Sequence, residues 1–144
     1  MLTGVAILRR RLREGKSYED FRQAWFHEVG FGAPNRMLTM LNVADPREVI
    51  VVGLTRAASV EDGARLVGLD QSQRAASPLD DVIEPGVDRT FAILVAEDDF
   101  SAEGLLDYQP AAVGGRPTDG AEVRAGIAAA RALFAAFLPP PPGE

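Results

Sequence analysis

Val49-Ile50-Val51-Val52-Gly53-Leu54 and Phe91-Ala92-Ile93-Leu94-Val95-Ala96 are apolar at odd and even positions alike, and Leu2–Leu8 is nearly so. An antiparallel strand with helices on one face and water on the other alternates apolar and polar side chains. These strands do not alternate, so the sheet they build is expected to be covered on both faces. Leaving several Val, Ile or Leu side chains wet would forgo ~1.5–3 kcal/mol each and invite aggregation. Two covers are open: the same sheet from a second copy, which gives an isologous homodimer through the second sheet face, or a C-terminal helix folded back across it. The homodimer is the expectation carried forward.

Outward from these strands, the remaining segments fall into order. Arg9, Arg10, Arg11, Arg13, Glu14, Gly15 and Lys16 follow the first apolar run, as at a strand end reaching solvent. Ser17 stands three residues before Asp20, a capping-box start with a carboxylate where the helix dipole favours it. Tyr18, Phe21, Arg22, Trp25 and Val29 then lie within ~60° of a common direction, which predicts an amphipathic helix of about three turns ended by Gly30 and Gly32. Residues 36–43 and 48–55 read as a hairpin around Ala44-Asp45-Pro46-Arg47. Ser59 opens a second helix bearing Val60, Ala64 and Val67, Ser77-Pro78 suits a further helical turn, and 88–96 is the last strand.

The order is therefore β-α-β-β-α-β, the ferredoxin-like split arrangement with a four-stranded antiparallel sheet, an α+β fold. The domain division expected is 1–99 for this unit and 100–144 for a C-terminal extension. The extension begins as loop, with Pro110, Gly114, Gly115 and Pro117. It continues as an amphipathic helix over about 119–138 with Val123, Ile127, Ala130, Phe134 and Phe137 on one stripe, stopped by Pro139–Pro142.

This arrangement, and especially Tyr18-Glu19-Asp20-Phe21-Arg22-Gln23-Ala24-Trp25 followed by a glycine-rich exit, resembles the dimeric α/β-barrel superfamily, in particular its EthD-like and antibiotic-biosynthesis-monooxygenase-like branches. The resemblance covers about residues 1–98. It implies two sheets closing into a barrel, with a pocket in each protomer between helices and sheet. The EthD-like pattern places a histidine three residues after the tryptophan, whereas here that position holds Glu28 and His27 comes two after Trp25. A Tyr, Phe, Trp stripe is also what plain core packing would give.

Candidate chemistry centres on this first helix. Imidazole titrates near neutral pH, which makes His27 a candidate catalytic base. A regular helix would instead place it ~180° from the stripe, facing solvent, unless the helix loosens before Gly30 and turns it inward. Glu28 is the second catalytic candidate, since partial desolvation on the flank of the stripe would suit it to proton transfer; otherwise it reaches the Arg9–Arg13 cluster. Trp25, Tyr18 and Phe21 are candidate substrate-binding walls, and Arg36, Asn42 and Asn35 are polar groups able to orient a ligand oxygen. The arginine run suggests an anion grip, although such runs usually shield a strand end from edge pairing.

Composition removes several classes. The 144 residues hold no cysteine and one histidine, which excludes disulfides, thiolate catalysis, Cys-ligated metals and any site needing two imidazoles from one chain. A net charge of −6 repels polyanions, so no nucleic-acid partner is expected. Arginines follow the apolar N-terminal run instead of preceding it, and no stretch approaches ~18 uninterrupted apolar residues. No membrane partner and a cytoplasmic location are therefore expected. Nucleotide, zinc-hydrolase, serine-hydrolase and calcium motifs are absent, no metal site is expected, and no cofactor is implied; His27 as an axial haem ligand is the weakest remaining option.

Two functions follow. One is a small hydrophobic-molecule-binding protein acting as a cofactor-free monooxygenase, isomerase or cyclase. The other is a non-catalytic dimeric binding or interaction module. A cavity carrying a polar group separates them.

Overall fold

The fold is seen in a computed structural model that describes residues 2–76, 79–86, 88–135 and 138, with 69–76 as backbone alone. The elements run β1 (Leu2–Arg11), α1 (Tyr18–Trp25), β2 (Asn35–Asn42), β3 (Asp45–Ala57), α2 (Val60–Ala76), β4 (Asp88–Ile93), β5 (Ala112–Val113), β6 (Arg116–Pro117) and α3 (Gly120–Leu133). The architecture is α+β: a four-stranded antiparallel sheet in the order β2-β3-β1-β4, a separate β5-β6 hairpin, and three helices. Ser77 and Pro78, Phe137 and the run 139–142, each assigned a role from sequence, lie outside the described residues.

The arginine run does not leave the sheet. β1 continues through it, with Arg9, Arg10 and Arg11 opposite Ile50, Val49 and Glu48. Arg9 Nη1 donates to Glu48 Oε1 at 2.8 Å, Arg11 pairs with Asp45, and Arg47 Nη2 donates both to the Leu12 carbonyl at 2.8 Å and to Glu84 Oε1 at 3.1 Å. These arginines therefore join β1, β3 and the segment before β4, and no anion is needed to explain them.

Strand register sorts the side chains into two faces, because residues directly opposite one another point the same way. One face carries Leu8, Met37, Val49 and Val51, all part of a core with Leu12, Phe21, Leu79, Val82 and Ile83. That core is concentrated at the Leu12 end of the sheet. Residues 79–84 plug it there, with Arg13 N–H donating to the Val82 carbonyl and Glu84 N–H to the Arg11 carbonyl, both at 2.8 Å. We call this the inner face. The outer face carries Val5, Ile7, Ile50, Val52 and Leu54, half-buried, with Leu38 and Met40 exposed.

All three helices meet the inner face. Phe21 and Trp25 of α1 and Leu66 of α2 point to it, and α3 crosses its β1-β4 corner. Gly126 is buried there; a methyl group on it would collide with Leu2 and stand 3.1 Å from Ile93 Cδ1. Phe134 stacks on Phe91 with ring centroids 5.0 Å apart. The C-terminal helix is thus not the cover of the second face. Ala130 and Phe134 of the expected stripe do face the sheet, but Ile127 is 40% exposed and the closest approach is made by Gly126, a glycine that carries no hydropathic signal.

The first two helices also differ from expectation in detail. Ser17 and Asp20 form the capping box: Ser17 N–H donates to Asp20 Oδ2 at 2.8 Å and Asp20 N–H to Ser17 Oγ at 3.3 Å. The helix then ends at Trp25 after eight residues, where Phe26 turns extended at φ −56° and ψ 130°. Val29 is consequently 70% exposed and not part of a buried stripe. Tyr18, in the first turn, is 48% exposed and outside the core. Along α2 the inward face is Val60, Gly63, Leu66 and Val67, so Leu66 takes the place expected of Ala64.

Candidate functional site

Small residues on the inner face leave a space. In register, Ala6 stands opposite Gly53 and Gly4 opposite Thr55, and Ala57 ends β3 facing Gly63 of α2. An alanine-sized side chain at Gly53 would find its nearest neighbours, the Ala6 carbonyl and Met37 Cγ, only at 4.0 Å. Glycine inside a strand marks a place where packing is left open or another group comes close. The helices span this gap without filling it, because α1 is short and α3 approaches through Gly126 and Ala130. The result is a cavity of about 1280 Å3 between the sheet and all three helices.

Its walls are mainly aliphatic and aromatic, including Leu8, Phe21, Trp25, Leu66, Phe91 and Phe134. Polar groups reach it at Asn35, Thr55, Ser59, Arg10, Arg89 and Glu122. Arg10 Nη1 also donates to the Gly86 carbonyl at 3.2 Å. Asn35 Oδ1 is buried and accepts no hydrogen bond. A buried acceptor without a donor costs ~1–3 kcal/mol, so this oxygen is where a ligand's O–H or N–H has most to gain.

The early end of α1 brings the single histidine against Trp25 and Phe31, two of the cavity's wall residues. His27 meets Trp25 edge-on with centroids 5.3 Å apart and packs on Phe31 at 5.1 Å, while Trp25 stacks on Phe21 at 5.8 Å. Arg22 lies over the Phe26 ring at 5.0 Å and holds the turn from the other side. Continuing the helix would have carried His27 to solvent; ending it folds the imidazole into an aromatic row. His27 lines a second recess, of about 560 Å3, with Phe26, Gly30 and Arg22. Trp25, Phe31, Asn35 and Met37 are walls of both spaces. The recess therefore adjoins the cavity across a wall that includes Asn35, with His27 on the recess side.

The other sequence candidates disperse. Trp25 and Phe21 line the cavity, but Tyr18 does not. Glu28 is exposed in the loop after α1 and reaches neither the cavity nor the arginines, whose carboxylate partners are Glu48, Asp45 and Glu84. Arg36 is exposed on the outer face, opposite Leu54. Asn42 closes the β2-β3 turn: its Oδ1 accepts from Ala44 N–H at 2.9 Å and its Nδ2 donates to Glu48 at 3.5 Å. Phe31, Gly53, Thr55 and Arg89 are site residues that sequence reasoning missed. The legible signal is the run of small residues at positions 4, 6 and 53, which share one face once the strands are paired.

Compared with family models, curated proteins and solved structures, the chain matches none. Among the described residues, no group of three or more His, Asp or Glu side chains is placed to hold a metal ion. No helix among them is long and apolar enough to cross a membrane.

Proposed function

We propose that this chain binds a hydrophobic small molecule bearing a hydroxyl group in the cavity between its sheet and helices. The carrying observation is the cavity itself: about 1280 Å3, walled mainly by apolar side chains, with an unpaired buried oxygen at Asn35. Binding sites for drug-sized molecules have this character, at ~300–1000 Å3, so the space suits a multi-ring or long-chain ligand. Seated there, the apolar body lies against Phe21, Phe91 and Leu66 and its hydroxyl donates to Asn35 Oδ1.

The chemistry within reach is proton transfer. His27 lines the adjoining recess and not the cavity itself. It therefore serves as the base for the part of a ligand that extends past Asn35 into that recess, taking a proton from an acidified O–H or C–H there. That is the elementary step of an isomerase or cyclase working without a cofactor, and it needs no oxidant. With this function we propose a ferredoxin-like topology and a dimeric α/β-barrel assembly. They are supported by the β2-β3-β1-β4 order and by the uncovered outer face, onto which the same face of a second copy would pack.

The test is titration with the neutral fluorophore N-phenylnaphthylamine. Wild-type protein is expected to bind it saturably, and Gly53→Leu, which projects into the space opposite Ala6, to lose at least about tenfold in affinity while remaining folded. Equal binding by both proteins would contradict the site. His27→Gln is expected to leave probe affinity unchanged while removing proton-transfer activity on a substrate, once one is found.

A further inference from the structure

Between β4 and the β5-β6 hairpin the chain runs through residues 98–110 without regular structure. Its base is fixed: Glu97 N–H donates to the Ala112 carbonyl at 3.0 Å, Thr118 N–H to the Ala111 carbonyl at 2.9 Å, and Thr118 Oγ1 to the Val95 carbonyl at 2.7 Å. Beyond that base, no hydrogen bond joins 98–110 to the rest of the described chain; Ser101 N–H and Oγ donate only to the nearby Asp99. Yet this arm carries large apolar side chains in water: Phe100 is 76% exposed, Tyr108 89%, and Leu105 fully. It is also acidic throughout, with Asp98, Asp99, Glu103 and Asp107 and no Lys or Arg between Arg89 and Arg116.

The outer sheet face has the complementary character. Its apolar rows are Leu38-Val52-Ile7 and Leu54-Val5-Ala92, and its cations at the Thr3 end are Arg36 and Arg56. Both arginines are exposed, and neither has an ion-pair partner among the described residues. The arm leaves the sheet at that same end, because Leu94 N–H donates to the Thr3 carbonyl at the edge of β4. A two-fold axis parallel to the strands lays the β4 edge of one copy over the β2 edge of the other without exchanging the strand ends. The root of one arm then stands over Arg36 and Arg56 of the second copy.

Area points the same way. A face four strands wide and about six residues long spans on the order of 400 Å2 in projection. A stable interface takes roughly 800 Å2 from each partner. Aromatic side chains bring ~150–250 Å2 each when buried, so Phe100 and Tyr108 would add substantially to what the paired sheet faces bury.

We propose that residues 98–110 are an exchanged arm: in a homodimer each copy's arm docks on the outer face of the other, its acids against Arg36 and Arg56. This rests on the two-fold pairing proposed above. The experiment is sedimentation equilibrium of the full chain. Wild-type protein is expected to be dimeric at micromolar concentration. The variant with Phe100, Leu105, Leu106 and Tyr108 all replaced by Ser, of which only Leu106 is as much as half-buried in the single copy, is expected to dissociate at least about tenfold more readily. Arg36→Glu should weaken the dimer, and adding Asp107→Arg to it should recover part of the loss. An unchanged dissociation constant in the four-Ser variant overturns the arm while leaving sheet pairing intact. A dimer lost in Val52→Asp but not in the four-Ser variant likewise overturns the arm, and a wild-type monomer overturns both.

Discussion

The two faces of the sheet are built from the same kind of residue and meet different surroundings: helices lie against the inner face and not against the outer one among the described residues. On the inner face the buried core gathers at the Leu12 end, while at the Gly4 end the small residues Gly4, Ala6 and Gly53 of β1 and β3 leave room beside Phe91 and Ile93 of β4. On the outer face Val5, Ile7, Val52 and Leu54 form an apolar surface with none of the three helices upon it among the described residues. A cavity therefore does not come from a lack of hydrophobic residues but from their size sorting by strand parity. A face with uniform side chains offers a flat surface to another protein surface; a face with graded ones offers a pocket to a molecule.

The sharpest way to break this contrast is to remove one large side chain from each face. Phe21→Ala, at a site only 1% exposed, is expected to cost ~3–5 kcal/mol of unfolding free energy. Leu38→Ser on the outer face is expected to cost less than ~1 kcal/mol when measured by denaturant titration at high dilution, and to show its effect in self-association instead. Similar losses at both positions would mean that the outer face is already packed within a single copy.

A smaller effect sharpens the chemistry of the inner face. Asn35→Ala removes the unpaired buried oxygen, so stability should hold or rise slightly. Affinity for a hydroxylated ligand should fall about tenfold relative to its hydroxyl-free analogue, as read by competition with the fluorophore. Equal losses for the two ligands would remove Asn35 from the site.

The contrast between the faces is only partly legible in the chain of residues. Strands apolar on both sides announce a sheet with two apolar faces, and the capping patterns at Ser17 and Ser59 announce where helices begin. The end of α1 is not legible, because the Tyr18-Phe21-Trp25-Val29 spacing continues past the point where Phe26 turns extended and packs beneath Arg22. That one turn decides whether His27 faces water or Trp25. The cavity is hidden for another reason: Gly4, Ala6 and Gly53 have meaning only together, and they come together only when register fixes which parity faces the helices. The same holds for α3, whose closest contact is Gly126, a residue that adds nothing to an apolar stripe.

The smallest effects concern the helix that carries the site. Ser17→Ala removes the cap of α1 and is expected to cost ~1 kcal/mol, read as a shift in the denaturation midpoint. The capping hydrogen bonds from Ser17 N–H and Oγ hold the Asp20 carboxyl below the ordinary carboxylate value. Because the folded value is the lower one, this contribution is present above the ordinary carboxylate range. It is lost as pH falls through the depressed value. Asp20→Asn should flatten that part of the acid limb of stability against pH. An unaltered limb would mean that the cap does not link α1 to pH.

The most direct test observes both faces at once, by methyl NMR of the protein during titration with N-phenylnaphthylamine. The methyl groups of Met37, Val51, Leu66 and Ile93 are expected to shift progressively with bound probe, while those of Ile7, Leu38 and Val52 stay in place. Shifts confined to Ile7, Leu38 and Val52 would contradict the account, since the ligand would then lie on the surface assigned to the second copy and the inner space would be empty of function.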